Sequence, residues 1–282
     1  TCHRPPVLLD PTPPVRRAGP SATARRAEAM VDYTVHGRTA VITIRRPEAR
    51  NAVNAEVANG VEAALDRFEG DEEVWVGVVT GEGPVFSAGA DLKAIAAGEA
   101  PSLTTKRGGF AGITRRERVK PLVAAVDGPA LAGGCEIALA CDLIVASTAA
   151  SFGVPEVKRS LVAAAGGLFR LPRALPPAIA MELILTGDPL PAERAYALGM
   201  VNDLVTPGEA LGAALALAER VSANAPVAVR ESRGVALAAH TADDETLWRM
   251  TDEGMARVAR TEDIAEGPRA FIEKRAPIWK GR

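Results

Sequence analysis

The chain has 282 residues, 48% hydrophobic and 24% charged, with a formal net charge of -2 at pH 7. That balance suits a globular protein and leaves no basic field for nucleic acid and no polybasic patch for membranes. No apolar run approaches the roughly 20 residues needed to span a bilayer, and Cys2, Cys135 and Cys141 form neither a disulfide framework nor a paired zinc pattern, so a cytoplasmic location is expected.

Residues 1–29 differ from the rest. Six prolines and five arginines crowd a segment that cannot build a periodic helix. It reads as a disordered leader or an artefact of an upstream start, with Met30 the natural beginning. From Val31 the text is orderly. Tyr33-Thr34-Val35 and Ala40–Ile44 alternate like two hairpin strands around Gly37. Arg46-Pro47-Glu48 breaks the pattern, and Asn54 then caps a helix whose Val57, Val61, Leu65 and Phe68 share one face. Val74–Thr80 is a nearly continuous apolar run, as in a strand covered on both faces. Gly81-Glu82-Gly83 follows it, but Phe86 stands where a dinucleotide fingerprint needs its third glycine.

Phe86-Ser87-Ala88-Gly89-Ala90-Asp91 leads into a short helix from Leu92, and residues 98–112 read as a mobile loop. The basic cluster from Arg115 to Lys120 reads as a solvated helix face. Buried strands are predicted at Leu122–Val126 and Leu143–Ala146, two helices between Gly167 and Gly187, a short helix at Pro191–Leu198 and a last strand at Met200–Val205. After Pro207 the pattern is wholly helical. This predicts an α/β core over 30–206 and a helical region over 207–282. The unit Val74–Ala90 is echoed at Leu122–Gly133, and each copy carries a glycine just ahead of a helix start.

The histidines, His3, His36 and His240, stand beside no Ser or Cys nucleophile motif, and no HExxH occurs. No metal site is expected, so the chemistry falls to carboxylates and backbone. Glu136 follows Gly133-Gly134-Cys135, and Glu156 ends Phe152-Gly153-Val154-Pro155-Glu156. Glutamate is seldom buried without a reason. A glycine at a helix start frees backbone N–H groups, and two of them converging would hold a carbonyl oxygen that turns negative. The candidate donors are the amides of Ala90 and Gly133. The plainer alternatives are tight turns for the glycines, a first-turn helical position for Glu136 and a loop salt bridge for Glu156.

The text resembles the enoyl-CoA hydratase/isomerase (crotonase) superfamily from about Val31 to the C-terminus. The matching blocks are Arg46–Asn54, Phe86–Lys93, Pro121–Gly128, Gly133–Glu136, Phe152–Glu156, Ala165–Gly167, Leu185–Asp188, Ala197–Asn202 and Phe271–Arg275. The resemblance implies a spiral of ββα units with a C-terminal helical region that builds trimers, often paired into hexamers. It implies an acyl-CoA thioester as substrate, with no cofactor beyond that coenzyme A. The amides of Ala90 and Gly133 would hold the thioester oxygen, Glu136 would activate water, and Glu156 would deliver a proton to the α-carbon. Asn51 and Lys93, with Ala88 and Asp91 of the same block, match positions near the substrate. Phe271 and Lys274 match a C-terminal segment that reaches a neighbouring subunit's coenzyme A.

Two departures stand out. Ser160 occupies a position wanting φ > 0, which strains a non-glycine residue, and Ala163-Ala164 replaces a proline-bearing sequence. Retention of both glutamates favours an enoyl-CoA hydratase acting in fatty-acid or related acyl-CoA degradation. The alternatives are isomerisation or other enolate chemistry on the same scaffold, and a non-catalytic acyl-CoA-binding subunit.

Overall fold

A computed structural model describes residues 30–282; the expectation for 1–29 lies outside the described residues. Strands β1 (Val31–His36) and β2 (Thr39–Ile44) form the anticipated hairpin. Helix α1 (Ala55–Gly70), strand β3 (Val76–Gly81) and helix α2 (Leu92–Ala96) follow. The strand pairs β4 (Thr104–Thr105) and β5 (Gly109–Phe110) precede β6 (Leu122–Val126), β7 (Ala130–Leu131) and helix α3 (Gly133–Leu139). Strands β8 (Leu143–Ser147) and β9 (Ser151–Gly153) lead to α4 (Gly167–Ala174), α5 (Pro177–Thr186), β10 (Leu190–Pro191), α6 (Ala192–Ala197) and β11 (Asp203–Val205). Helices α7 (Ala210–Ser222), α8 (Pro226–Ala238), α9 (Asp244–Val258) and α10 (Asp263–Glu273) end the chain.

The main sheet runs β1-β2-β3-β6-β8-β11, antiparallel at β1–β2 and parallel elsewhere. Alternation along its strands explains the unbroken apolar runs. Leu122, Ala124 and Val126 face one core with α1, while Val123 and Ala125 face a second core with α7. Each face is covered, so neither set of alternating side chains can be polar. Helix α1 packs Val57, Val61, Leu65 and Phe68 into the first core, each contributing about 1.5–3 kcal/mol by burial. Its start is fixed by Asn54, whose side chain accepts from Val57 N at 3.0 Å. Helix α7 lies on the second face through Ala214 and Ala218, with Ala210 buried one turn before them. The helical region expected from 207 therefore begins with a helix that belongs to the core.

A second ladder crosses the ends of these strands and positions the site. Val53 pairs with Ala90, Ser87 with Ala130, β7 with β9, and β9 with β10. It joins the two similar units side by side, because both leave the main sheet at the same level.

Two expectations need correction. Residues 98–112 are not a loose loop: a short 3-10 turn at Ala100–Leu103 and the β4–β5 hairpin bury Leu103 and Ala111 against α1. The basic cluster is not a solvated helix face either. Arg116 pairs with Asp66 at 2.5 Å, Arg118 with Asp142 at 2.5 Å, and Lys120 donates to the carbonyls of Phe68 and Asp71. Their partners lie 50, 24 and 49–52 residues away, a separation no local pattern reveals. No helix among the described residues is long and apolar enough to cross a membrane.

Candidate active site

The site lies where the two units meet. Gly89 (φ 85) turns the chain before α2, and a methyl group placed on it would lie 2.7 Å from Gly133 N and 2.9 Å from Ala132 Cβ. The backbone of one unit thus presses directly on the helix start of the other. Gly133 is hemmed in as well, since a methyl group there would meet the Phe110 ring at 2.4 Å. Ser87 sets the first turn: its hydroxyl donates to Asn51 O at 2.9 Å and accepts from Gly89 N at 3.2 Å. Ala132 holds φ 52 and ψ −129, a conformation costly for any residue with a Cβ, and it aims the start of α3. Among the described residues, neither Ala90 N nor Gly133 N donates to a protein acceptor. Both residues line one cleft of about 810 Å³.

Glu136 and Glu156 line the same cleft. Glu136 sits in the first turn of α3 and is 2% exposed. Its Oε1 accepts from Ala165 N at 2.7 Å and from Gly167 N, the first residue of α4, at 2.9 Å. Burial pushes its carboxyl upward, opposed by those two amides and by the charge of Arg170. Oε2 accepts no hydrogen bond from the described residues and is left for a ligand. Glu156 follows Pro155 in a 3-10 turn; its Oε2 is buried without a partner among the described residues. Burial, reinforced by the neighbouring Glu136 charge and opposed by its own backbone amide, pushes Glu156 up to about 7. One carboxylate is therefore braced by amides and the other is poised to hold a proton near neutrality. That division is what paired acid/base chemistry needs.

The sequence profile of the family described as enoyl-CoA hydratase/isomerase matches residues 35–282. The chain belongs to that family. It is similar to the carnitinyl-CoA dehydratase of Salmonella typhi, 42% identical over 255 residues, covering 88% of this chain and 97% of that protein. It is also similar to the crystal structure of an enoyl-CoA hydratase from Mycobacterium tuberculosis H37Rv, with a TM-score of 0.86 and 49% identity over 90% of this chain and 99% of that one. A carnitinyl-CoA hydratase from Mycobacterium avium matches with a TM-score of 0.70 and 46% identity, covering 90% of this chain and 99% of the other. The fold is the crotonase fold of these enoyl-CoA hydratases.

Within this family frame the remaining expected residues fall into three groups. Ala88, Asp91 and Lys93 line the cleft. Asp91 caps α2 by accepting from Lys93 N at 2.9 Å and pairs with Arg46 at 2.6 Å. Burial alone would raise its carboxyl; those hydrogen bonds outweigh it and hold Asp91 low. Asn51 lies outside the cleft lining. It is fully buried, donating to the carbonyls of Glu82 and Val85 and accepting from Arg46 N, so its visible work is to tie the strand ends together. Phe271 and Lys274, at the end of α10, do not line the cleft of their own chain.

Sequence reasoning missed five contributors. Arg46 braces Asp91, Ala132 carries the strained turn, and the amides of Ala165 and Gly167 hold Glu136. Arg170 holds that loop, donating to Ala165 O at 3.0 Å and Thr114 O at 2.7 Å. Gly166-Gly167 was the available signal, since paired glycines at a helix start free amides; nothing local marks Arg170 or Ala132.

Proposed function

We propose that this protein is an acyl-CoA hydro-lyase that adds water across the double bond of a 2-enoyl-CoA thioester with an uncharged acyl group, reversibly giving the 3-hydroxyacyl-CoA. The observation that carries this reading is the pair of cleft-lining glutamates beside two unpaired amides from separate units. Glu136, ionised, takes a proton from water as the water oxygen bonds to the β-carbon. The displaced π electrons move through the α-carbon to the thioester oxygen, where the N–H groups of Ala90 and Gly133 stabilise the developing charge. Glu156, protonated, gives its proton to the α-carbon as the enolate collapses. One water is consumed, and transfer of the proton from Glu136 to Glu156 resets the pair. Coenzyme A enters and leaves as part of the substrate, and Lys93, exposed at the cleft, is placed to meet its anionic groups.

Similarity to proteins named carnitinyl-CoA dehydratase supports a second reading, in which the acyl group carries a quaternary ammonium. The lining argues against it. Phe110 is the single aromatic residue among the described lining residues; of the carboxylates, Asp91 is paired with Arg46, and Glu48 is largely exposed beside the same arginine. A quaternary ammonium is held by a cage of aromatic faces, and this cleft has one. The test is loss of the conjugated-thioester absorbance with crotonyl-CoA, longer enoyl-CoA esters and the 4-trimethylammonio analogue. Crotonyl-CoA or a longer neutral ester should be favoured, and Glu136→Gln and Glu156→Gln should each lose roughly a hundred- to ten-thousand-fold in kcat. Preference for the ammonio ester would favour the second reading, and absence of hydration with every ester would defeat both.

A further inference from the structure

A second cavity, of about 330 Å³, opens behind the catalytic cleft between the end of α3, helix α4 and helix α8. Thr114 lines both cavities and stands in the wall between them. Five arginines line the second one: Arg116, Arg118, Arg170, Arg173 and Arg233. Asp142 is the single carboxylate among its described lining residues, and it is shared by Arg118 and Arg233. Arg116 leans on Asp66, which it shares with Arg107, outside the lining. Positive charge is therefore left over on this wall.

Two atoms point to what the charge is for. The Arg116 side chain is only 9% exposed, yet its Nη1 has no partner among the described residues. Thr114, 2% exposed, has an equally unpartnered Oγ1. A buried guanidinium N–H without an acceptor costs free energy that an oxyanion would recover. Arg173, exposed at the rim, makes no ion pair among the described residues and lies over the Phe169 ring. Burial destabilises the Arg170 cation; the Glu136 charge opposes this, and repulsion from Arg118 and Arg173 adds to it, in the sense an anion would relieve.

We infer that this arginine-lined cavity is a binding site for a small dianionic oxyanion of the phosphate class, separate from the acyl-CoA cleft. The inference does not depend on the hydratase reading, because the site shares no carboxylate with it. Arg170 nonetheless links the two, since its guanidinium lines the second cavity and holds the carbonyl of Ala165, whose amide holds Glu136. The experiment is isothermal titration of the full chain with inorganic phosphate against chloride at equal ionic strength, with and without saturating butyryl-CoA. This saturated thioester has no double bond to hydrate. One phosphate per chain should bind, unaffected by butyryl-CoA. Arg173→Ala and Arg116→Met should each weaken binding about fivefold or more, as expected for loss of a charge-assisted contact. Arg173→Ala removes no ion pair within the described residues, so it keeps the test valid if Arg116→Met unfolds. Failure of phosphate to bind above the chloride control would overturn the site, and so would displacement by butyryl-CoA. Unchanged affinity in a folded Arg173→Ala would overturn it too. A carboxylate from a second copy filling the cavity would appear as the first of these results.

Discussion

At the scale of single residues, the two glutamates differ because their surroundings differ. Burial raises both carboxyls, but for Glu136, the more deeply buried, two amides and Arg170 oppose that rise, whereas Glu156 has a buried oxygen with no partner among the described residues. Hydration needs Glu136 ionised and Glu156 protonated. Raising the pH through about 7 ionises Glu156 and removes the α-proton donor, so kcat/KM should fall on the alkaline side with a limb near that value. Dehydration uses the same singly protonated pair with the roles exchanged, so its limb should fall at the same pH. The limb belongs to the pair, not to one residue. A pH–rate profile flat from 6 to 9 in both directions would contradict this assignment. Ser160 shows what a sequence can reveal at this scale. Its left-handed backbone, φ 56 and ψ 35, was legible as a departure from a glycine position. The strain, on the order of 1 kcal/mol, falls in the turn that carries Glu156. Arg170 was not legible, because its work is a pair of hydrogen bonds to carbonyls 5 and 56 residues away.

At the scale of elements, the site depends on two turns meeting. Gly89 is the contact point, and Gly89→Ala would drive a methyl group against Gly133 N while also straining φ 85. The expected result is a loss of about a hundredfold or more in kcat, since misplacing one oxyanion donor costs roughly 3–4 kcal/mol. The measurement is steady-state hydration with the folded variant, checked by circular dichroism; kcat within a factor of three of wild type would show that the turn is not a donor. The turns themselves were legible, because glycine before a helix start is a local signal repeated in both units. The α1 helix and the parallel strands were legible for a similar reason: the cap at Asn54 and unbroken apolar runs are local. The β4–β5 hairpin was not, since Gly108, Gly109 and Gly112 read as looseness when they in fact permit a tight turn against Glu62 of α1.

At the scale of the molecule, the C-terminal helices leave large apolar side chains uncovered. Trp248 is 69% exposed, Phe271 85% and Ile272 78%. The chain end is nevertheless fixed: Asp263 accepts from Lys280 N and Gly281 N, and Glu266 from Ile278 N. A rigid surface carrying such side chains is what a subunit interface requires. We propose a homo-oligomer of three subunits or a pair of such trimers, in which Phe271 and Lys274 reach a neighbouring cleft. Sedimentation should give three or six times the 29.4 kDa chain mass, and a monomer at micromolar concentration would contradict it. The helical region's existence was legible from its unbroken periodicity, whereas the role of α7 as a cover for the sheet was not. A buried alanine stripe at Ala210, Ala214 and Ala218 carries no address for its partner. The two-glutamate chemistry is tested most directly by running the reaction with crotonyl-CoA in deuterium oxide enriched in heavy oxygen. The product should be a 3-hydroxyacyl-CoA bearing one solvent oxygen at the β-carbon and one deuterium at the α-carbon, and Glu136→Gln should yield neither. A product with no added oxygen, or undiminished oxygen incorporation by Glu136→Gln, would contradict the assignment of water to Glu136.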